Sequence, residues 1–181
     1  MSITKSNCTI CNMGSCCFAR DTEIKLADGR MIRADEIKIG ERLACYSGKS
    51  LTVTDILTGE EKKIYHIKTR NGAEIKLTSG HILLRGDNDR VAVSVLSPGD
   101  KIMTENKTLT DIISVEEINY KGMVYNFMFE GEHEGNFLIA NGFFAGDFYA
   151  QNMQSDNEKK LATEHQAMLK EFEQLKELLK K

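Results

Sequence analysis

The sequence predicts an all-β domain, and three observations carry that reading. Apolar and polar residues alternate on either side of Asp28-Gly29 in "EIKLADGRMI" and of Asn71-Gly72 in "KKIYHIKTRNGAEIKLT". Such pairs tolerate the left-handed backbone that tight hairpins require. A third run, "GMVYNFMFEGEHEGNFLIANGFF", is rich in aromatic and branched residues and is punctuated by Asn141-Gly142. It fits a pleated, half-buried surface. No convincing helical period appears before position 150.

Taken in order, the chain of 181 residues divides into three expected segments. Residues 1–16, "MSITKSNCTICNMGSC", form a polar leader without periodicity. They lack the apolar core of a secretory signal, and no apolar run approaches the length of a membrane span, so the expected compartment is the cytoplasm. Residues 17–150 carry the strands. In 151–181, Leu161, His165, Met168, Phe172, Leu175 and Leu179 follow a heptad seam, with Ser155 and Glu158 as a capping box. This predicts a C-terminal amphipathic α-helix. It either docks on its own domain or forms a short coiled coil with a second chain.

The middle segment also repeats itself. "ADEIKIGERL" at 34–43 matches "VSVLSPGDKI" at 93–102, with Ile37 on Leu96, Gly40 on Gly99, Glu41 on Asp100 and Leu43 on Ile102. "IYHIK" at 64–68 matches "VYNFM" at 124–128, and "GHIL" at 80–83 loosely matches "NGFF" at 141–144. An offset near 60 held over three matches predicts two related halves that share one core.

A net charge of −3 gives no reason to expect nucleic acid or an anionic membrane as partner. The five cysteines are Cys8, Cys11, Cys16, Cys17 and Cys45. An odd number argues against a disulfide scaffold, and four of the five crowd the first 17 residues. A thiol at the start of a β domain can reach back to the carbonyl carbon of the preceding residue through a five-membered ring, turning the peptide bond into a thioester. That chemistry needs a proton donor for the departing amine and hydrogen bonds for the oxyanion. "LTSGHILL" supplies a Thr-x-x-His arrangement at a strand end: His81 to protonate the amide nitrogen of Cys17, and Thr78 to hold the carbonyl or the amide.

These motifs together resemble the Hint domain, the module shared by inteins and the autoprocessing part of Hedgehog proteins. "CFARDTEIKLADG" from Cys17 resembles the intein N-terminal block, "LTSGHILL" the second block, and "VYNFMFEGEHEGNFLIANGFFAGD" the two C-terminal blocks. The resemblance covers about 130 residues and implies a horseshoe of pseudo-twofold related halves. It implies an N–S acyl shift at the Cys16–Cys17 bond, with Cys17, Thr78 and His81 as catalysts and Asn126 and His133 as helpers. The protein's own N-terminal peptide is the implied substrate, water, a thiol or an amine the acceptor, and no cofactor is implied. Inteins usually end in His-Asn followed by Cys, Ser or Thr; here those positions hold Gly146, Asp147 and Phe148. Full splicing is therefore not expected, and Asp147 reads either as a remnant or as an assistant to cleavage.

Competing readings stand beside these. Cys8, Cys11, Cys16 and Cys17 offer four thiols for zinc, although adjacent cysteines share one metal awkwardly. Cys45, in "ERLACYSG", reads as core filler. The scaffold as a whole could be catalytically decayed and act only as a binding or oligomerisation module. A cysteine protease acting on other proteins is disfavoured, because the near bond is the domain's own.

Overall fold

The computed structural model describes residues 16–86, 89–131 and 136–151. Among these residues twelve strands form two antiparallel sheets. They are β1 (Phe18–Ala19), β2 (Glu23–Lys25), β3 (Met31–Arg33), β4 (Arg42–Ala44), β5 (Ser50–Thr69), β6 (Glu74–Leu77), β7 (Ile82–Leu84), β8 (Arg90–Ala92), β9 (Lys101–Met103), β10 (Leu109–Phe129), β11 (Phe137–Ala140) and β12 (Phe143–Gly146). One sheet runs β4-β5-β6-β1-β10-β9, the other β3-β2-β11-β12-β7-β8. Among the described residues, a 3-10 turn at Val93–Val95 is the one helical feature before the helical turn at 148–151. A boundary between compact units falls after Gln151. The heptad segment and its capping box at Ser155 and Glu158 lie outside the described residues.

The expected hairpins form where the turn chemistry puts them. β2 and β3 pair across Asp28-Gly29, β5 and β6 across Asn71-Gly72, and β11 and β12 across Asn141-Gly142. In the last, both turn residues have positive φ, 47° at Asn141 and 80° at Gly142. That is the two-residue primed geometry whose twist matches the strands it joins.

The repeat is present in the backbone with an offset of 59. Strands β2, β3, β4 and β5 begin at Glu23, Met31, Arg42 and Ser50, and β7, β8, β9 and β10 begin at Ile82, Arg90, Lys101 and Leu109. The hydrogen bonds repeat with them. Gly40 N–H donates to Val53 O and Gly99 N–H to Ile112 O, at 2.8 and 2.9 Å. The Glu41 carboxylate accepts from Lys38 N–H and the Asp100 carboxylate from Ser97 N–H, both at 2.8 Å. Gly40 and Gly99 hold φ near +92° and +97°, which is why both halves keep glycine there. Ile37, Leu96, Leu43 and Ile102 are buried, so the shared positions are the core positions.

One expected match is corrected. "GHIL" and "NGFF" are not repeat equivalents: β7 and β12 are hydrogen-bonded neighbours, with Leu83 opposite Ala145. The counterpart of β7 is β2, and the β11–β12 hairpin lies between the two halves, β11 against β2 and β12 against β7. The likeness of the two strings reflects the apolar pattern of neighbouring central strands.

Each half contributes a long strand, β5 and β10, and these pair along most of their length. β1 inserts between β6 and β10, with Phe18 opposite both Leu77 and Tyr125. Phe18 enters the main core with Ile67, Leu77 and Phe127. Alternation along the strand turns Cys17 and Ala19 to a separate cluster with Ile64 and Val124. The Cys16–Cys17 peptide is thus held where strands from both halves meet.

Candidate active site at the Cys16–Cys17 bond

The site assembles on that inserted strand. Cys17 is 6% exposed, and its N–H donates to Thr78 Oγ1 at 2.6 Å. The Thr78 N–H and hydroxyl in turn donate to Cys17 O, at 3.1 and 3.2 Å. Thr78 directly follows β6, the strand that pairs with β1, so pairing register sets this contact. On the other flank Asn126, in β10, donates from Nδ2 to Cys16 O at 2.6 Å. Its Oδ1 accepts from Phe127 N–H at 2.8 Å, which fixes the amide with its donor toward the carbonyl. Asn126 and Thr78 are both buried. The peptide's N–H and C=O are thereby gripped from opposite sides.

His81 closes the site. Its ring is fully buried and lies edge-on to Phe18, with centroids 4.3 Å apart. Neither ring nitrogen makes a well-formed hydrogen bond. Burial pushes its pKa down to about 3; the backbone at Cys17 and at Gly146 pulls the other way, less strongly. Burial disfavours the charged form, so the ring is held neutral and could carry a proton only transiently. The Cys16 thiol donates to Gly80 O at 3.6 Å, and burial pushes its pKa up to about 11, so this neighbour stays protonated. Repeat symmetry is broken here: Thr22 O accepts from Ala34 N–H as His81 O accepts from Val93 N–H, both at 2.8 Å. One half therefore carries threonine where the other carries the imidazole.

Asp147 is fully buried, and its carboxylate is engaged elsewhere. Oδ1 accepts from Ala150 N–H at 2.8 Å and Oδ2 from Asn136 Nδ2 at 3.0 Å. The aspartate caps the helical turn at 148–151. Burial raises its pKa against these lowering hydrogen bonds. Sequence reading missed this cap although an aspartate before a non-proline run is a helix-start signal; the residue was read as the end of an intein block. It also missed Gln151, whose buried side chain reaches back to Gly146 O at 2.8 Å. His133, Cys8 and Cys11 lie outside the described residues. Among the described residues no group of three or more His, Cys, Asp or Glu side chains gathers as a metal site. Cys45 is buried, with its thiol 3.1 Å from Lys49 O. No helix among the described residues is long and apolar enough to cross a membrane.

No family model matches the sequence, and no curated protein matches it. Solved structures do match. The gp41-1 intein aligns over 74% of this chain and 98% of its own, at 19% identity and a TM-score of 0.60. A bacterial intein-like domain from Clostridium thermocellum aligns over 74% and 99%, at 20% identity and a TM-score of 0.63. A DnaB intein from Synechocystis aligns over 74% and 99%, at 21% identity and a TM-score of 0.63. A chain whose two halves repeat strand by strand, and which superposes on these proteins across nearly their whole length, has the intein-like Hint fold.

Proposed function

We propose that this domain processes itself by an N–S acyl shift at the Cys16–Cys17 bond. The observation that carries the reading is the Asn126 amide on Cys16 O at 2.6 Å, opposite Thr78 on Cys17 N–H. The thiol proton of Cys17 passes to His81, and the sulfur attacks the Cys16 carbonyl carbon. The oxygen gains charge against the Asn126 amide. As the C–N bond breaks, His81 returns its proton to the departing nitrogen. The products are a thioester between the Cys16 carbonyl and Cys17 Sγ, and the α-amine of Cys17. A buried imidazolium with depressed pKa is a strong acid, suited to protonating that amine. Water, a small thiol or an amine then takes the acyl group and releases residues 1–16.

The C-terminal half-reaction is not part of this proposal. Asp147 replaces the asparagine amide, its carboxylate is committed to the helical turn, and Phe148 offers no hydroxyl or thiol.

Intact-protein mass spectrometry of the full chain, with and without a small thiol and hydroxylamine, tests the reading. The expected product is a chain beginning at Cys17, formed faster with nucleophile and absent in Cys17→Ala. An intact mass under every condition would overturn the proposal in favour of a decayed scaffold that binds without cutting.

A further inference from the structure

The helical turn at 148–151 packs hard on the end of β12. A Cβ placed on Gly146 would meet the Ala150 Cβ at 3.1 Å and the Ile82 Cβ at 3.5 Å. Ala150 is fully buried and Gln151 is 4% exposed. Asp147 ties the turn to Asn136, whose carbonyl also accepts from Asp147 N–H at 2.8 Å. Within this clamp Gln151 Nε2 donates to Gly146 O at 2.8 Å, while its Oε1 is buried with no partner among the described residues. Gly146 also packs on Ile82, the residue that directly follows His81, where β12 pairs with β7. Gln151 from the turn after β12 and Ile82 from β7 thus meet at a single glycine.

We propose that Gln151 is a positioning residue for His81: its amide fixes the Gly146 peptide, which packs on Ile82, and so holds the start of β7 and the imidazole that directly precedes it. A glycine at the end of a strand has no side chain of its own to hold its peptide plane. The amide of Gln151 supplies that restraint, and Asp147 and Ala150 hold the amide in place. The turn that follows β12 then belongs to the processing site and is not a passenger to be removed. The role in catalysis rests on the self-processing reading; the role in placing the ring does not.

The test uses the full chain with Gln151→Met, which keeps the length and loses the donor, and Gln151→Asn, which stays polar and falls short of Gly146. Ring-nitrogen NMR signals of His81 are read in the Cys17→Ala background, where no thioester forms. Hydroxylamine-triggered cleavage is read with Cys17 present. Both variants should move the His81 signals and slow cleavage by about tenfold or more, as loss of an outer-shell partner does elsewhere. Unmoved His81 signals in either folded variant would overturn the proposal, whatever the cleavage rate. Signals that move in a protein that never cleaves would uphold the positioning role and overturn self-processing instead. Melting temperature identifies a variant that has merely unfolded.

Discussion

Asn126→Ala offers the sharpest test of the proposed chemistry. The wild-type amide sits 2.6 Å from Cys16 O, and its rotation is fixed by Phe127 N–H on Oδ1 at 2.8 Å. It costs nothing to reorganise when charge develops on that oxygen. In the ground state the bond is one between neutral groups, contributing about 1 kcal/mol net. In the tetrahedral intermediate the acceptor is charged and the bond becomes much stronger. Loss of one such donor from a buried site slows reaction by about 10²–10³-fold, or 2.7–4 kcal/mol. We expect the lower end, about 100-fold, because Cys16 O is only partly buried and water can enter the space left by the amide. The substitution also orphans the Phe127 N–H, a stability cost of about 1–3 kcal/mol, so the assay belongs well below the melting temperature. Single-turnover cleavage with hydroxylamine, followed by intact mass, gives the rate directly. A folded Asn126→Ala that cleaves within about threefold of wild type would refute the oxyanion argument.

Three further predictions come from the same site. Thr78→Val leaves the Cys17 N–H without its 2.6 Å acceptor; it should cost about 1–3 kcal/mol in urea-melt stability and slow cleavage more than that loss alone explains, and a rate equal to wild type would remove Thr78 from the mechanism. His81 titrates near 6.5 when unfolded and about 3 when folded. The unfolded chain therefore takes the proton first as pH falls. Stability from this group is whole above pH 6.5 and declines between 6.5 and 3, by up to about 5 kcal/mol. Asp147, raised by burial, acts in the opposite sense, adding stability at low pH that fades as pH rises through its folded value. Urea midpoints across pH 4–7 in an Asp147→Asn background should slope upward with pH, and His81→Asn should flatten the slope; an unchanged slope would contradict the buried neutral imidazole. Finally, Asp147→Ala removes a helix cap and its Asn136 bond, and should destabilise by about 1 kcal/mol, whereas Asp147→Asn keeps an acceptor for Ala150 and should lose less. Equal midpoints for Asp147→Ala and wild type would show the cap to be idle.

The sequence by itself determined the strand content, the turns and the existence of two halves, because these are local. Asp28-Gly29, Asn71-Gly72 and Asn141-Gly142 select tight turns from their own backbone preferences. Gly40 and Gly99 mark the repeat because each must hold a left-handed φ. Motif order and chemistry also singled out Cys17, Thr78, His81 and Asn126 as candidates.

Which groups meet was decided by the tertiary structure alone, because those contacts cross 61 to 110 residues of chain and depend on strand order. Inserting β1 between β6 and β10 is what brings Thr78 to one side of a peptide and Asn126 to the other. Pairing of β12 with β7 sets Gly146 against Ile82, next to His81 in the chain, where a string comparison finds only a loose likeness of "GHIL" to "NGFF". Asp147 shows the limit most plainly. Its identity ruled out an asparagine's chemistry, but only a helical turn folded back on β12 could make it a cap and bury Gln151 behind it.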